Sequence, residues 1–222
     1  TTKTDGSTTA LAYNTTVGGD SISFNYTVAA GDGINTLDYA LTTSLALNGG
    51  TIRDVAGNDA TLTLATVGSA NSLGGRRLTV DTQGPTVVSV TKDALGGQTR
   101  SAAGYYNEDP HIYFHINFAD NFSTGDDIVT VNTAGGTPGI TVDTREDGAT
   151  DPEASYIDNR GSGSIRVRYD IAHPEESQAL EYVGPSLVLN GGTIRDKAGN
   201  DATLTLPAVG GGNSLSDDVT YV

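Results

Sequence analysis

The sequence predicts an all-β chain, built as tandem antiparallel β-sandwiches of which the first is incomplete. Three observations carry that expectation. Apolar residues alternate with period two in segment after segment, and no window holds a 3.6-residue apolar stripe. Clusters of Gly, Asn and Asp divide these segments at short intervals, as tight turns require. Finally, SLALNGGTIRDVAGNDATLTLATVGSANSL at 44–73 returns as SLVLNGGTIRDKAGNDATLTLPAVGGGNSL at 186–215, with 24 of 30 positions identical at an offset of 142. Copying of that order marks a repeat architecture, which does mechanical or display work more naturally than catalysis.

Taken in order, strands are expected at 8–14 and at Ser21–Val28 (SISFNYTV), where Ile22, Phe24, Tyr26 and Val28 share one face. Further strands follow at 45–52, 60–66 and 77–82. Pro85 then blocks ladder pairing at the junction Asp81–Pro85 and fixes the approach to a strand at 86–92. His111–Phe118 (HIYFHINF) turns Ile112, Phe114, Ile116 and Phe118 inward and His111, Tyr113, His115 and Asn117 outward. Strands at 127–132, 139–144, 164–172, 187–194, 202–208 and 218–222 complete the set. Asp143–Asp158 reads as a long acidic loop. Faces that alternate inward and outward argue for antiparallel sheets packed face to face.

The repeat extends upstream at an offset of 143. Ile22, Phe24, Tyr26 and Val28 align with Ile165, Val167, Tyr169 and Ile171, and Tyr13 aligns with Tyr156. Two domains result: 1–83, a partial repeat, and 84–222, a complete one. The first begins at the counterpart of about Thr144 and has nothing corresponding to 84–143, a deficit of roughly three strands. Such a unit exposes core side chains and strand edges. Either the chain is a fragment of a longer array, or a neighbouring repeat or identical subunit adds the strands.

Acidic residues number 27 against 12 basic, a formal charge of −15, and cysteine is absent. That field repels nucleic acid and anionic membranes, so neither is expected as a partner, and it attracts divalent cations. No stretch approaches the roughly 20 apolar residues of a membrane span. No leader with a charged and then an apolar region opens the chain, so an export signal has been removed or lies outside the fragment.

The combination LNGGTIRDxAGNDATLTL, a spacer ending in NSL, and VDTxGPTVVSV resembles the bacterial immunoglobulin-like repeats of large surface adhesins. The resemblance covers about 10–83 and 84–222. It implies immunoglobulin-like sandwiches, export to the bacterial cell surface, a stalk or extender role, and calcium at domain junctions. Asn117–Phe122 and the acidic stretch 143–158 depart from the pattern of such repeats.

The loops Asp54–Asp59 (DVAGND) and Asp196–Asp201 (DKAGND) each offer two carboxylates and an Asn amide to a cation that prefers six to eight oxygen ligands. The metal candidates are accordingly Asp54, Asn58, Asp59, Asp196, Asn200 and Asp201. Asp81 joins them, on the expectation that it meets Asp54 and Asp59 at the pole of the first unit. The plainer alternative is a pair of hairpin turns in which Gly57 and Gly199 take positive φ. His111 and His115 stand about 13 Å apart on a strand and cannot share an ion. His173 has no visible partner. Lys92, in phase with Val88 and Val90, is a weak candidate for a Lys–Asn crosslink. The acid pairs Glu108-Asp109, Asp126-Asp127, Glu146-Asp147 and Asp217-Asp218 fall in turns, without the aromatic cleft a glycosidase needs. The expectation is therefore a non-enzymatic structural module, stalk, extender or filament-forming. A carbohydrate- or ligand-binding module is the alternative, using Tyr105, Tyr106, Tyr113, His115 and Asn117 or the 143–158 stretch.

Overall fold

The computed structural model describes residues 9–17, 21–34, 36–93, 111–122, 128–143, 151–161, 163–171 and 180–215. The expected strand 218–222, His173, Tyr105, Tyr106 and all four acid pairs lie outside them. The chain divides into two compact units, Thr1–Thr82 and Gln83–Val222.

Unit 1 pairs β1 (Tyr13–Val17) with β2 (Ser21–Phe24), and β3 (Gly33–Ile34) with β4 (Val80–Asp81). A single 3₁₀ turn, Gly74–Arg76, precedes β4. The expected strands at 45–52 and 60–66 are extended segments held by isolated backbone hydrogen bonds. Ala60 N donates to Ile52 O at 2.9 Å, and Leu64 N to Thr42 O at 2.8 Å. Ile34 is the sole member of the buried apolar set that belongs to this unit, among the described residues.

Unit 2 is built on a six-stranded antiparallel sheet. Its members are β5 (Thr86–Lys92), β6 (His111–Ala119), β8 (Gly139–Asp143), β9 (Glu153–Asn159), β10 (Ser164–Asp170) and β11 (Glu181–Tyr182), in the order β11-β8-β9-β10-β6-β5. Beside it, β7 (Thr130–Asn132) pairs with β12 (Thr193–Arg195). The alternation of β6 is realised along its length: Ile112, Phe114, Ile116 and Phe118 are buried while His111, Tyr113, His115 and Asn117 are half-buried. The same holds for β10, where Ile165, Val167 and Tyr169 are buried. These side chains form one core with Val90, Ile140, Val142, Leu187, Ile194, Leu206 and Leu215. The segments 187–194 and 202–208 reach that core as extended chain joined by single bridges, such as Ser186 with Thr205 and Gly139 with Val188.

Two expectations are corrected. Within 143–158, residues from Glu153 onward form β9, an interior strand paired with both β8 and β10. Its acids disguised it, yet Ala154 is fully buried and Asp158 neutralises Arg166 at 2.8 Å. In β5, pairing with β6 skips a position between Val87 and Ser89, a bulge that turns Val88 outward while Val87 and Val90 pack inward. One extra residue in a strand shifts the phase of everything after it, so Val88 and Val90 do not share a face.

The sequence repeat is also a repeat of local geometry. Tyr13 opposes Phe24 as Tyr156 opposes Val167, and both ladders skip a residue next to that pair, Asn14 in one and Ile157 in the other. Left-handed Asn48 (φ 48°) matches Asn190 (φ 52°), and Gly57 (φ 91°) matches Gly199 (φ 95°). The Tyr39 hydroxyl donates to Ala65 O, as the Tyr182 hydroxyl donates to Pro207 O.

Candidate functional site

The two DxAGND loops are closed by their own groups. In the first, Asn58 N and Nδ2 each donate to an Asp54 carboxylate oxygen at 2.8 Å, while Asp54 N reaches Asn58 O at 3.0 Å. Asn58's side chain and backbone hydrogen bonds hold the Asp54 carboxyl below its ordinary range. The second loop repeats the set: Asn200 N and Nδ2 donate to Asp196 at 2.8 Å, and Asp196 N reaches Asn200 O at 3.1 Å. Asp59 and Asp201 each meet an arginine, Arg53 at 2.7 Å and Arg195 at 2.6 Å. The copies differ in burial, since Asp54 is exposed and Asp196 is 4% exposed.

That chemistry fits a turn better than a calcium ion. Both oxygens of Asp54 and of Asp196 accept from the loop, and a guanidinium already neutralises Asp59 and Asp201. Calcium placed beside either arginine meets a like charge. The expected meeting of Asp54, Asp59 and Asp81 is not formed. Among the described residues, no group of three carboxylate or imidazole side chains within 4.8 Å of one another includes Asp54 or Asp59. Asp81 stands in β4 opposite Gly33. Within unit 2, Asp120 and Asp196 do approach to within 4.8 Å, a proximity invisible in the sequence because 75 residues separate them.

The outward face of β6, the expected ligand face, is occupied by its own neighbours. Arg166 Cζ lies 4.8 Å from the Tyr113 ring centroid, and its guanidinium also bonds Asp158. His115 Nε2 lies 3.4 Å from Asp93, and His111 Nδ1 lies 2.6 Å from Asp170. Asn117 Nδ2 donates to Ser89 Oγ at 3.0 Å and Thr91 Oγ1 at 3.3 Å. Lys92 ends β5 opposite Phe114. An apolar hollow elsewhere on unit 2 is lined by Gly184, Pro185, Leu206, Pro207, Ala208 and Val209, none of them titratable or nucleophilic.

A residue that sequence reasoning missed is Asp38. Burial would raise its pKa, but hydrogen bonds from the Gly68, Tyr39 and Gly74 amides and the Ser72 hydroxyl outweigh that and hold it below the ordinary value. Gly68 N and Ser72 Oγ both donate to Asp38 Oδ2, at 2.9 and 3.0 Å. A Cβ on Gly74 would fall 2.5 Å from that oxygen, so any larger residue there would displace the Asp38 carboxylate. The repeat also matches Leu37-Asp38-Tyr39 with Leu180-Glu181-Tyr182, and an acid kept at the central position is the signal that points to Asp38. No helix of the described residues is long and apolar enough to cross a membrane. No protein-family model, curated protein or solved structure matches the chain.

Proposed function

We propose that this chain is a non-enzymatic structural module of an exported bacterial surface adhesin or fibre, made of tandem immunoglobulin-like repeats that act as spacer. The observation that carries this reading is the recurrence of one local geometry, bulge for bulge and turn for turn, in two units of one chain. A spacer needs the same brick several times, whereas a catalytic site needs its residues once. The polar groups of the repeated loops close the loops, and those of the β6 face engage side chains of the segments packed beside it. Both uses stiffen the brick. The strong acidic charge keeps an exported array soluble and self-repelling.

Single-molecule stretching of the chain tests the proposal. Unit 2 is expected to unfold in one cooperative step and to refold repeatedly. A unit that yields gradually at low load, or a chain that turns over a glycoside or peptide substrate, would sink it. A glycan array probes the ligand-binding alternative, and no signal is expected because Tyr113, His115 and Asn117 are already engaged.

A further inference from the structure

We propose that unit 1 carries an open strand-acceptor face whose occupant is a polypeptide segment with the chemistry of residues 86–143. That segment is a strand placing Ile, Phe, Ile and Phe inward, followed by a Gly-Gly turn and a Pro-Gly strand start. The inference rests on the repeat reading above and adds the site, the partner and the register.

Three separate features of unit 1 ask for the same cover. The first is the ladder. In unit 2, β10 lies between β9 and β6, whereas its counterpart β2 pairs, among the described residues, with β1 alone. The second is burial. Ile22 is 36% exposed and Phe24 40%, where their counterparts Ile165 and Val167 are both 0% exposed. Phe24 is larger than the valine it replaces, so the face is more apolar, not less. The third is the LNGG turn. In unit 2, a Cβ on Gly191 would lie 2.5 Å from Gly135 O, and one on Gly192 would lie 2.4 Å from Gly136 O, so the two glycine pairs touch backbone to backbone. Asn190 Nδ2 caps that contact by donating to Thr137 O at 3.0 Å. In unit 1, the same turn has nothing within 4 Å of a Cβ at Gly49.

The occupant follows from the interface present in unit 2, whose counterpart strand in unit 1 is exposed. There, β6 covers β10 with Ile116 opposite Ile165 and Phe114 opposite Val167. Residues 135–138 cover the LNGG turn from the same chain segment. Moving that register by the repeat offset places the incoming segment's Ile116 opposite Ile22 and its Phe114 opposite Phe24. The segment's outward His115 and Tyr113 then face Ser23 and Asn25, which are uncharged and oppose no like charge. Strand addition of this kind draws affinity from main-chain hydrogen bonds and specificity from alternate side chains.

The test adds the segment Gly84–Asp143, as a separate polypeptide, to the full chain. Hydrogen exchange is expected to slow at residues 21–28 and 47–50. The lower melting transition should rise by roughly 10 °C when the segment is at about 100 times its Kd, because a ligand held only by the folded state stabilises it. A control segment carrying F114D and I116D should do neither. If the free segment aggregates, the same two segments fused ahead of Thr1 give the same comparison. Equal effects from both segments would overturn the proposal, as would protection confined to unit 2. Protection of 21–28 already present in the chain alone, with a sedimenting dimer, would overturn it in favour of a second copy. None of these results touches the stretching behaviour of unit 2, so the spacer reading stands or falls on its own measurement.

Discussion

Glycines at repeated positions do different work in the two units, and substitution separates the contributions. Gly57 and Gly199 have nothing within 4 Å of a Cβ, so only their positive φ demands glycine. Gly49→Ala is expected to cost the backbone term alone, roughly 1–2 kcal/mol for an L-residue in the left-handed region. Gly191→Ala adds a collision with Gly135 O and should cost clearly more. Urea titrations of the two variants check the ranking; equal costs would mean that the glycine contact in unit 2 is loose. Asp38 supplies a pH test. Its folded pKa lies below the ordinary 3.8, so its contribution is present above that value and disappears as pH falls through the lowered one. The protection of the Gly68 amide, relative to its intrinsic exchange rate at each pH, should fall in that acid window, and that fall should be absent in Asp38→Asn. The turn glycines were legible because φ > 0 leaves few residue choices. Asp38 was not: the repeated block contains Gly68 and Ser72, but nothing in its pattern marks them as donors to a carboxylate 30 and 34 residues upstream.

At the scale of elements, the chain contains its own control for burial. Ile165 and Ile22 are the same residue at the same place in equivalent strands, 0% and 36% exposed. Ile165→Ala should cost about 2–5 kcal/mol, as core truncations do. Ile22→Ala should cost about 1 kcal/mol or less, as changes at uncovered sites do. Equal losses by denaturant titration would show that something already covers Ile22. The alternation that predicted β6 and β10 worked because each strand has one wet and one dry face. It failed at β9, where Glu153, Asp158 and the bulged Ile157 broke the pattern that Ala154 and Tyr156 carry. It failed differently at 45–52 and 60–66. There the apolar spacing is real, but isolated backbone hydrogen bonds, Ala60 N to Ile52 O and Leu64 N to Thr42 O, stand in place of a ladder.

For the molecule as a whole, the uneven core fixes the order of events on heating. Nearly the entire buried apolar set of the described residues lies in unit 2, so calorimetry should show two transitions, the lower one belonging to unit 1. Calcium or a chelator is expected to move neither transition through the DxAGND loops, because arginine and asparagine already satisfy their carboxylates. A rise of several degrees with calcium, lost in Asp196→Asn, would restore the ion to the design. Alkali should act on the upper transition. Burial first, and then the Glu181 charge, push the Tyr182 hydroxyl from 10.0 up to about 12. A group whose folded pKa is raised stabilises fully below its unfolded value and loses that contribution as pH climbs towards the folded one. Unit 2 should therefore lose stability between pH 10.0 and about 12, with one tyrosine titrating late by tyrosinate absorbance. Tyr182→Phe removes the ionisation and also the hydrogen bond to Pro207 O. It should lower the upper transition at neutral pH, yet flatten that part of the decline in alkali that Tyr182 supplies. A variant that declines as steeply as the parent would place the alkaline weakness elsewhere than under the loop that Tyr182 anchors.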